Sequence, residues 1–233
     1  MIGYPLGHSL SPQIHGELFK QRGIEATYTL CPIEPNELRS YYDKLDKFDG
    51  FNVTIPYKKE ILDYCASLSS DAAYFGAVNC VKDRVGYNTD VIGLRLSVEA
   101  LGANLKGRVL LLGYGGAGVM AAKETLRQGG DLTVAVRDAT KVPHDLNAVT
   151  FDQARGEYDL IINTTPAGMS PNINLLPDGL LLTQVEAAHV LDIIYNPKET
   201  LLLQKMRERG SKTLNGELML LEQAKESQRL WLD

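Results

Sequence analysis

Four glycines occupy six positions at residues 113–118, GYGGAG, directly after the apolar run at residues 108–112. Glycine brings no side chain to a core, so such a run is expected where the backbone turns sharply or approaches another group closely. Gly113, Gly115 and Gly118 fit the pattern G-x-G-x-x-G, whose glycines make the turn, admit a pyrophosphate and pack helix on strand. The sequence therefore predicts a dinucleotide-binding loop, with a purely structural strand-to-helix turn as the alternative.

The strand that should follow this loop ends where dinucleotide-binding folds contact the adenosine ribose. Residues 132–136 form an apolar run, and Arg137 and Asp138 follow it, about 20 residues beyond the glycines. Arg137, with Lys141 one turn further on, could hold the 2′-phosphate of NADP. Asp138 could instead accept hydrogen bonds from the free 2′-hydroxyl of NAD, and all three could be ordinary surface charges. Two basic residues against one acid favour NADP.

The N-terminal part contains a lysine that could do chemistry. Residues 52–56, NVTIP, alternate as a half-buried strand does, which predicts Val53 and Ile55 on one face and Thr54 on the other. Proline ends the strand, so Lys58 should emerge at its tip. From the residues alone, Lys58 could equally be a solvated side chain at a helix start.

A carboxylate lies at the next turn. Residues 86–90, GYNTD, deliver Asp90 to the head of a predicted helix, where it could be no more than an N-cap. Spacing alone does not decide between a functional and a capping role for this residue.

Alternating strand-like and helix-like segments must position these groups, and they predict an α/β fold with a mostly parallel sheet. After about residue 97 the strands become more apolar, as strands buried on both faces are, which predicts a domain boundary there. The predicted strands are 27–30, 50–55, 109–112, 132–136, 160–162 and 190–194, and the predicted helices are 37–45, 59–66, 91–101 and 119–126.

Composition excludes several classes of protein. The net charge of −5 without a block of like charge gives no reason to expect a nucleic-acid or membrane partner. Scattered cysteines predict plain thiols and a cytoplasmic location, and the histidines form no ligand pattern with them, so no metal site is expected. The cysteines are Cys31, Cys65 and Cys80, and the histidines are His8, His15, His144 and His189.

Eight blocks, in order along nearly the whole chain, resemble the motifs of the shikimate dehydrogenase family. They are GYPLGHSLSPQIH (3–15), NVTIPYK (52–58), GAVN (76–79), YNTD (87–90), the glycine loop (113–118), NTTPAGM (163–169), DIIYNP (192–197) and GELMLLEQ (216–223).

The resemblance implies NADP-linked reduction of 3-dehydroshikimate to shikimate, a step of the shikimate pathway to the aromatic amino acids. It implies two α/β domains with the active site in the cleft between them. Residues 1–96 would form the substrate domain and residues 97–215 a Rossmann-like NADP domain, with the helix within 216–233 packing back on the first. Small-molecule substrates are the implied partners, for a monomer or a homodimer.

Site residues follow from the same resemblance. Lys58 and Asp90 would form the catalytic pair, since a ketone that receives a hydride needs a proton donor or cation at its oxygen. Ser9 and Ser11 would hold the substrate carboxylate. The other implied substrate contacts are Thr54, Asn79, Tyr195 and Gln223, and the implied cofactor contacts are Gly113, Gly115, Gly116, Ala117, Gly118, Arg137, Lys141, Ile193 and Gly216.

Departures from the family pattern keep alternatives open. Gly16 replaces the usual asparagine and Cys80 the usual threonine, neither in the implied chemistry. Asp138 stands where the family has threonine, which makes NAD possible and leaves an NAD-preferring quinate/shikimate dehydrogenase as an alternative. A non-catalytic binder of the same fold is a third hypothesis, disfavoured because it would not need both Lys58 and Asp90.

Overall fold

The computed structural model describes residues 1–7 and 9–232, so His8 of the N-terminal block and Asp233 lie outside the described residues. The chain divides into two compact units. The first comprises Met1–Gly93 together with Leu220–Asp233, and the second comprises Leu94–Met219.

The first unit contains two small sheets and short helices. In one sheet β1 (Ile2–Gly3) pairs parallel with β2 (Cys31–Pro32). The other sheet has the order β3-β5-β6-β4, with both parallel and antiparallel pairs. Its strands are β3 (Phe51–Asn52), β4 (Ser67–Leu68), β5 (Cys80–Lys82) and β6 (Val85–Tyr87); the helices that precede β6 are α1 (Ser11–Gln21), α2 (Leu38–Tyr42) and α3 (Ser70–Phe75), with 3-10 turns at Asp43–Lys47 and Glu60–Tyr64.

Several predicted bounds in this unit are wrong, one of them for a strand and two for helices. The strand predicted at residues 27–30 lies instead at Cys31–Pro32, because a strand forms only where a neighbour offers its backbone groups, and β1 is two residues long. The helix predicted over residues 37–45 ends as an α-helix at Tyr42 and continues as a 3-10 helix. That predicted over residues 59–66 is only a 3-10 turn.

The alternation predicted for residues 52–56 also fails at one position. Val53 is 2% exposed, as expected, but Ile55 is 73% exposed. The reason is that β3 ends at Asn52 and Val53 makes only an isolated bridge to Ile2, after which the chain turns. Ile55 therefore lies in a turn, where the two-residue period of a strand no longer applies.

The second unit is built on a parallel six-stranded sheet, which confirms the predicted α/β class. Its strand order is β12-β11-β10-β7-β8-β9, every neighbouring pair being parallel. The strands are β7 (Arg108–Leu112), β8 (Asp131–Val136), β9 (Asn147–Thr150), β10 (Gly156–Asn163), β11 (Val185–Asp192) and β12 (Lys212–Leu214); the remaining helices of the chain are α4 (Asp90–Ala100), α5 (Gly116–Arg127), α6 (Leu201–Glu208) and α7 (Glu217–Leu232).

The strand order places a topological switch between β7 and β10, because the chain runs outward from β7 through β8 to β9 and then returns to β10. In open α/β sheets, ligands bind beyond the carboxyl ends of the strands at such a switch. The central strands are apolar on both faces, with Leu110, Leu111 and Leu112 fully buried. The apolar run therefore forms a rigid support whose carboxyl end leads directly into the glycine loop.

Candidate functional site

Lys58 and Asp90 meet in the first unit, although 32 residues separate them in sequence. Lys58 lies in the turn after β3, and Asp90 is the first residue of α4. The Lys58 Nζ donates a hydrogen bond of 2.5 Å to the Asp90 Oδ2, and the two side chains are 33% and 22% exposed. The lysine is thus oriented by a carboxylate while part of the pair stays accessible to a reactant.

Asn79, immediately before β5, holds the second oxygen of the same carboxylate. Its Nδ2 donates to the Asp90 Oδ1 at 2.9 Å and to the Thr89 Oγ1 at 2.9 Å, and its Oδ1 accepts from the Thr89 backbone amide at 2.7 Å. Both Asp90 oxygens are therefore bonded, one to a cation and one to an amide. Asn79 is only 3% exposed, and its two amide hydrogens are both used.

Two serines lie together at the start of α1. The Ser11 backbone amide donates to the Ser9 Oγ at 3.2 Å, and the Ser9 amide donates to the Leu6 carbonyl at 3.1 Å. The Ser11 Oγ points toward the Met1 Sδ at 3.8 Å. Both serines are half-buried, so their hydroxyls lie at the edge of the unit and not in its core.

Thr54 lies on the segment that leads to Lys58. Its amide donates to the Ile2 carbonyl at 3.0 Å, and its own carbonyl accepts from the Tyr57 amide at 2.9 Å, which closes the turn before the lysine. A Cβ on Gly3 would lie 2.4 Å from the Thr54 Cγ2. The N-terminal glycine is therefore needed for the close approach of β1 to this segment.

Gln223, on α7, is half-buried, and its amide turns back on its own helix. The Gln223 Nε2 donates to the Leu220 carbonyl at 2.8 Å, and its backbone carbonyl accepts from the Ser227 Oγ at 2.9 Å. The sequence singled out Gln223 but gave no reason to notice Ser227 or Thr89, whose hydroxyls lie beside the same site.

In the second unit, each glycine of the loop has a distinct geometric role. Gly113 has a φ of +93°, which favours glycine, and it makes the turn after β7. A Cβ on Gly118 would lie 2.5 Å from the Gly113 carbonyl oxygen, so this glycine permits helix and turn to touch. Around Gly115 and Gly116, no atom of the described part of the chain lies within 4 Å of an added Cβ. The space beside the start of α5 is therefore open to a ligand.

The start of α5 has the features of an anion site. Gly115 is its N-cap and supplies no side-chain cap, so the first-turn amides at Gly116 and Ala117 are not satisfied by a capping side chain. Free amides and the helix dipole together favour a phosphate at such a terminus. The residues present thus fit a dinucleotide pyrophosphate.

Thr164 supports the loop from the neighbouring strand. Its Oγ1 lies 2.9 Å from the Leu112 carbonyl and 3.2 Å from the Gly113 carbonyl, to which it donates. The block NTTPAGM contains this threonine, but its role depends on the pairing of β10 with β7, which the sequence does not show.

Arg137 and Asp138, the predicted ribose contacts, follow β8 directly. The Asp138 Oδ1 accepts from the Thr140 amide at 3.1 Å and from the Thr140 Oγ1 at 2.6 Å, and the Asp138 Oδ2 lies 3.7 Å from the Lys141 Nζ. These hydrogen bonds from Thr140, followed by the charge of Lys141, hold the pKa of Asp138 below its usual range. The Asp138 carboxylate therefore already interacts with Thr140 in its own turn and with Lys141. Arg137, next to it in sequence, is exposed.

A buried carboxylate fixes the loop after β11. The Asp192 Oδ1 accepts from the Asn163 Nδ2 at 2.9 Å and from the Ile194 amide at 3.1 Å, and its Oδ2 accepts from the Thr200 Oγ1 at 2.7 Å. Burial raises the pKa of Asp192 to about 6. Asp192 belongs to the block DIIYNP, but nothing in the sequence around it indicates this role.

Ile193, Tyr195 and Gly216 lie on or against that loop. The Gly216 amide donates to the Ile194 carbonyl at 3.0 Å, and a Cβ on Gly216 would lie 2.0 Å from the Ile193 carbonyl oxygen. Ile193 and Tyr195 are half-buried. Glycine at position 216 therefore permits close backbone packing under the loop that presents both side chains.

Membrane-spanning helices and metal clusters are both absent from residues 1–7 and 9–232. Over that part of the chain, no helix combines the length and apolar character needed to cross a membrane. Over the same residues, no three His, Cys, Asp or Glu side chains group as metal ligands would.

Comparison with known proteins points to one family. A family model described as the shikimate dehydrogenase substrate binding domain matches residues 1–81. The shikimate dehydrogenase (NADP(+)) of Methanococcus aeolicus is 38% identical, covering 99% of this chain and 90% of its own, and that of Shouchella clausii is 38% identical, covering 99% and 91%. The crystal structure of shikimate 5-dehydrogenase from Thermus thermophilus with NADP(H) and shikimate is 30% identical, covers 99% of this chain and 91% of that one, and has a TM-score of 0.90.

Proposed function

Because this chain belongs to the shikimate dehydrogenase family, we propose that it catalyses the reversible, NADP-dependent reduction of 3-dehydroshikimate to shikimate. The observation that carries the proposal is the Lys58–Asp90 pair, with Asn79 on the second carboxylate oxygen. This arrangement suits proton transfer to a ketone oxygen, and a binding module would not need it. The reaction belongs to the biosynthesis of aromatic amino acids.

The lysine supplies the proton in the proposed mechanism. NADPH, when bound, supplies the hydride for the carbonyl carbon. As negative charge develops on the carbonyl oxygen, the Lys58 ammonium donates its proton there, and in the oxidative direction the neutral amine accepts it back. Asp90 keeps the amine oriented, because its Oδ2 is bonded to the Lys58 Nζ while Asn79 prevents the carboxylate from rotating.

We propose that the first unit binds the substrate. Ser9 and Ser11 hold the carboxylate of shikimate with their half-buried hydroxyls. Asn79 donates both of its amide hydrogens to other residues of the protein. It can therefore bind the substrate only through the remaining lone pair of its Oδ1, which can accept a hydrogen bond from a substrate hydroxyl. Thr54 offers a further hydroxyl. Tyr195, the remaining candidate for a substrate contact, belongs to the second unit. Gln223 contributes its amide after rotating away from the Leu220 carbonyl.

We propose that the second unit binds NADP. The pyrophosphate lies against Gly113, Gly115, Gly116, Ala117 and Gly118, where the amides are uncapped and the space is open. Arg137, with Lys141, binds the 2′-phosphate. Ile193 and Gly216 border the reactive end of the cofactor, Ile193 through its side chain and Gly216 through its backbone.

NAD is the second candidate cofactor, because the Asp138 carboxylate lies next to Arg137 in sequence and carries a charge that repels a phosphate. Its Oδ1 is occupied by Thr140, so what it can offer a ribose hydroxyl is mainly its Oδ2, which lies 3.7 Å from the Lys141 Nζ. This pairing weakens the case for Asp138 as a reader of the ribose. NADP remains the proposed cofactor.

Four assays test the proposal: the purified protein with shikimate or quinate, each with NADP or NAD. We expect the largest kcat/KM with shikimate and NADP. A preference for NAD with activity on quinate would indicate the second candidate. Absence of turnover in all four assays, with shikimate still bound in calorimetry, would indicate a non-catalytic binder and would contradict the proposal.

We further propose a cytoplasmic protein that acts on small molecules as a monomer or a homodimer. Cys31, Cys65 and Cys80 are free thiols, and burial raises the pKa of Cys65 to about 11 and that of Cys80 to about 12. Thiols of this kind are unreactive and suit a reducing compartment. Light scattering measures the molar mass of the protein as it elutes from a size-exclusion column, and this mass distinguishes a monomer from a homodimer.

A further inference from the structure

We propose that Ser227, on α7, is a positioning residue for Asn79 and, through it, for the Lys58–Asp90 pair; as a statement about catalysis, this rests on the proposed function. Ser227 is fully buried, and its hydrogen bonds go to Asn52, Thr89 and Gln223, not to Lys58 or Asp90. Its hydroxyl lies between two residues of the site's buried support, Asn52 and Thr89.

The hydroxyl of Ser227 has hydrogen-bond partners on Gln223, Asn52 and Thr89, and it also interacts with the Cys80 thiol. It donates to the Gln223 carbonyl at 2.9 Å, accepts from the Asn52 Nδ2 at 2.9 Å, and lies 3.2 Å from the Thr89 Oγ1. Asn52 in turn donates to the Asn79 backbone carbonyl at 3.1 Å. Ser227 is therefore linked to Asn79 through two residues. Asn52 contacts the backbone carbonyl of Asn79, and Thr89 contacts its side-chain amide.

The proposal assigns a direction to these bonds. A serine hydroxyl has one hydrogen; when that of Ser227 goes to the Gln223 carbonyl, the Thr89 hydroxyl is the donor in the contact between Thr89 and Ser227. With its hydrogen directed there, the Thr89 Oγ1 presents a lone pair to the Asn79 Nδ2 at 2.9 Å. Asn79 is then held with its other amide hydrogen on the Asp90 Oδ1.

Without the serine hydroxyl, the Thr89 hydroxyl loses the acceptor to which the proposal assigns its hydrogen. The other acceptor close to the Thr89 hydroxyl is the Asn79 Oδ1 at 3.3 Å, which already accepts from the Thr89 amide. A Thr89 hydroxyl that turned there would donate to the Asn79 Oδ1. Its lone pair would then no longer be directed at the Asn79 Nδ2, from which it accepts a hydrogen bond in the structure. Asn79 would be held less firmly, and the Asp90 carboxylate with it.

The position of α7 does not depend on Ser227. The Trp231 Nε1 donates to the Val81 carbonyl at 3.2 Å, and the Gln228 Nε2 donates to the His15 carbonyl at 2.9 Å. A Cβ on Gly50 would lie 2.0 Å from the Trp231 indole, so the tryptophan is tightly enclosed. Removing one hydroxyl should therefore change the hydrogen bonds of Asn79 and leave the helix in place.

The first test is kinetic, with Ser227→Ala and Ser97→Ala as a matched pair. Ser97 is also fully buried, and its Oγ has no hydrogen-bond partner among residues 1–7 and 9–232. We expect Ser227→Ala to lower kcat about threefold to tenfold, the effect of one net buried hydrogen bond. The KM for NADP should be unchanged, and Ser97→Ala should behave as wild type. Ser227→Cys, which retains a weak donor and acceptor, should recover part of the loss.

A double-mutant cycle with Thr89→Val distinguishes positioning from general destabilisation. If Ser227 acts through Thr89, adding Ser227→Ala to Thr89→Val should lower kcat little further. Loss of stability alone would instead leave kcat unchanged at temperatures where the variants are folded. An effect on kcat that is fully additive with Thr89→Val, or shared by Ser97→Ala, would overturn the proposal.

A second readout does not depend on activity. The side-chain amide hydrogens of Asn79, observed by nitrogen–proton NMR, should exchange with solvent faster in Ser227→Ala than in wild type or Ser97→Ala. Unchanged exchange would overturn the positioning role even if kcat fell. If the wild-type protein failed to oxidise shikimate, the proposed function would be wrong, and this exchange measurement would still decide whether Ser227 positions Asn79.

Discussion

At the scale of single residues, the Lys58–Asp90 hydrogen bond makes a direct prediction. Replacing Lys58 by alanine removes the proposed proton donor, so turnover should fall by about 10² or more, as loss of a positioned acid or base does. Asp90 keeps its bond to Asn79, so the fold should persist. Steady-state kinetics and circular dichroism of the purified variant check both statements.

Lys59 provides the matched control, because it is the exposed neighbour of Lys58 in the same turn. Lys59→Ala should retain turnover close to wild type. If instead Lys59→Ala abolished activity while Lys58→Ala kept it, the assignment of the proton donor would be wrong.

The proposal assigns cofactor choice to single residues. Arg137→Ala removes the proposed charge-assisted contact to the 2′-phosphate, so affinity for NADP should fall about tenfold to a hundredfold. Affinity for NAD, which lacks that phosphate, should not change. Titration of both cofactors by protein fluorescence measures the two dissociation constants.

Asp138→Ala is the complementary variant. It removes a carboxylate near the phosphate and releases Lys141, which lies 3.7 Å from it, so affinity for NADP should rise. A protein that bound NAD more tightly than NADP, and lost NAD affinity on Asp138→Ala, would contradict the assignment of NADP.

At the scale of elements, the junction of β7 and α5 separates a binding role from a packing role. Gly115 has nothing within 4 Å of an added Cβ and a φ of −82°, which alanine adopts freely. Gly115→Ala should therefore leave the unfolding free energy nearly unchanged and weaken NADP binding, because the methyl group enters the space of the pyrophosphate. Calorimetric titration with NADP tests this.

Gly118→Ala should show the opposite pattern. Its Cβ would lie 2.5 Å from the Gly113 carbonyl oxygen, so turn and helix must separate. We expect a loss of about 1–3 kcal/mol in unfolding free energy, as for overpacking of a core. Denaturant titration of both variants gives the comparison, and equal stability of the two would contradict the roles assigned to these glycines.

At the scale of the whole molecule, two buried groups make stability depend on pH in opposite directions. Burial lowers the pKa of His15 from 6.5 to about 4. The contribution of neutral His15 to the free energy of unfolding is therefore fully present above pH 6.5 and is lost as the pH falls toward 4. Burial raises the pKa of Asp192 from 3.8 to about 6. The contribution of protonated Asp192 to the free energy of unfolding is therefore fully present below pH 3.8 and is lost as the pH rises through 6. His15 belongs to the first unit and Asp192 to the second.

Variants that cannot titrate separate the two effects. Between pH 4 and 6.5, the stability of wild type relative to His15→Phe should rise by an amount on the order of 3 kcal/mol. Relative to Asp192→Asn, it should fall by a similar amount between pH 4 and 6. Urea titrations at several pH values measure both differences. Parallel pH profiles of wild type and either variant would show that the group concerned does not titrate in this range.

Much of the fold was predictable because it depends on neighbours in sequence. The apolar runs that became β7 and β8 are buried on both faces in a parallel sheet, and a run of glycines between strand and helix specifies its own turn. The position of Arg137 and Asp138 just after β8 followed from the length of one strand–helix–strand unit, while their contact with a ribose stays a prediction. The short strands of the first unit were misplaced, since strands of two or three residues carry little local signal and are defined by their partners.

By itself, the sequence determined the α/β class, the glycine loop and, through its ordered motifs, the candidate residues of the site. Tertiary structure alone decided which of those residues meet. Lys58 and Asp90 are 32 residues apart, and Asn52 and Ser227 are 175 apart, yet each pair shares a hydrogen bond. It also decided that Ile55 is exposed and that His15 and Asp192 are desolvated. The physical reason is that burial, pKa and hydrogen-bond partners depend on distances in space, which residue spacing does not fix.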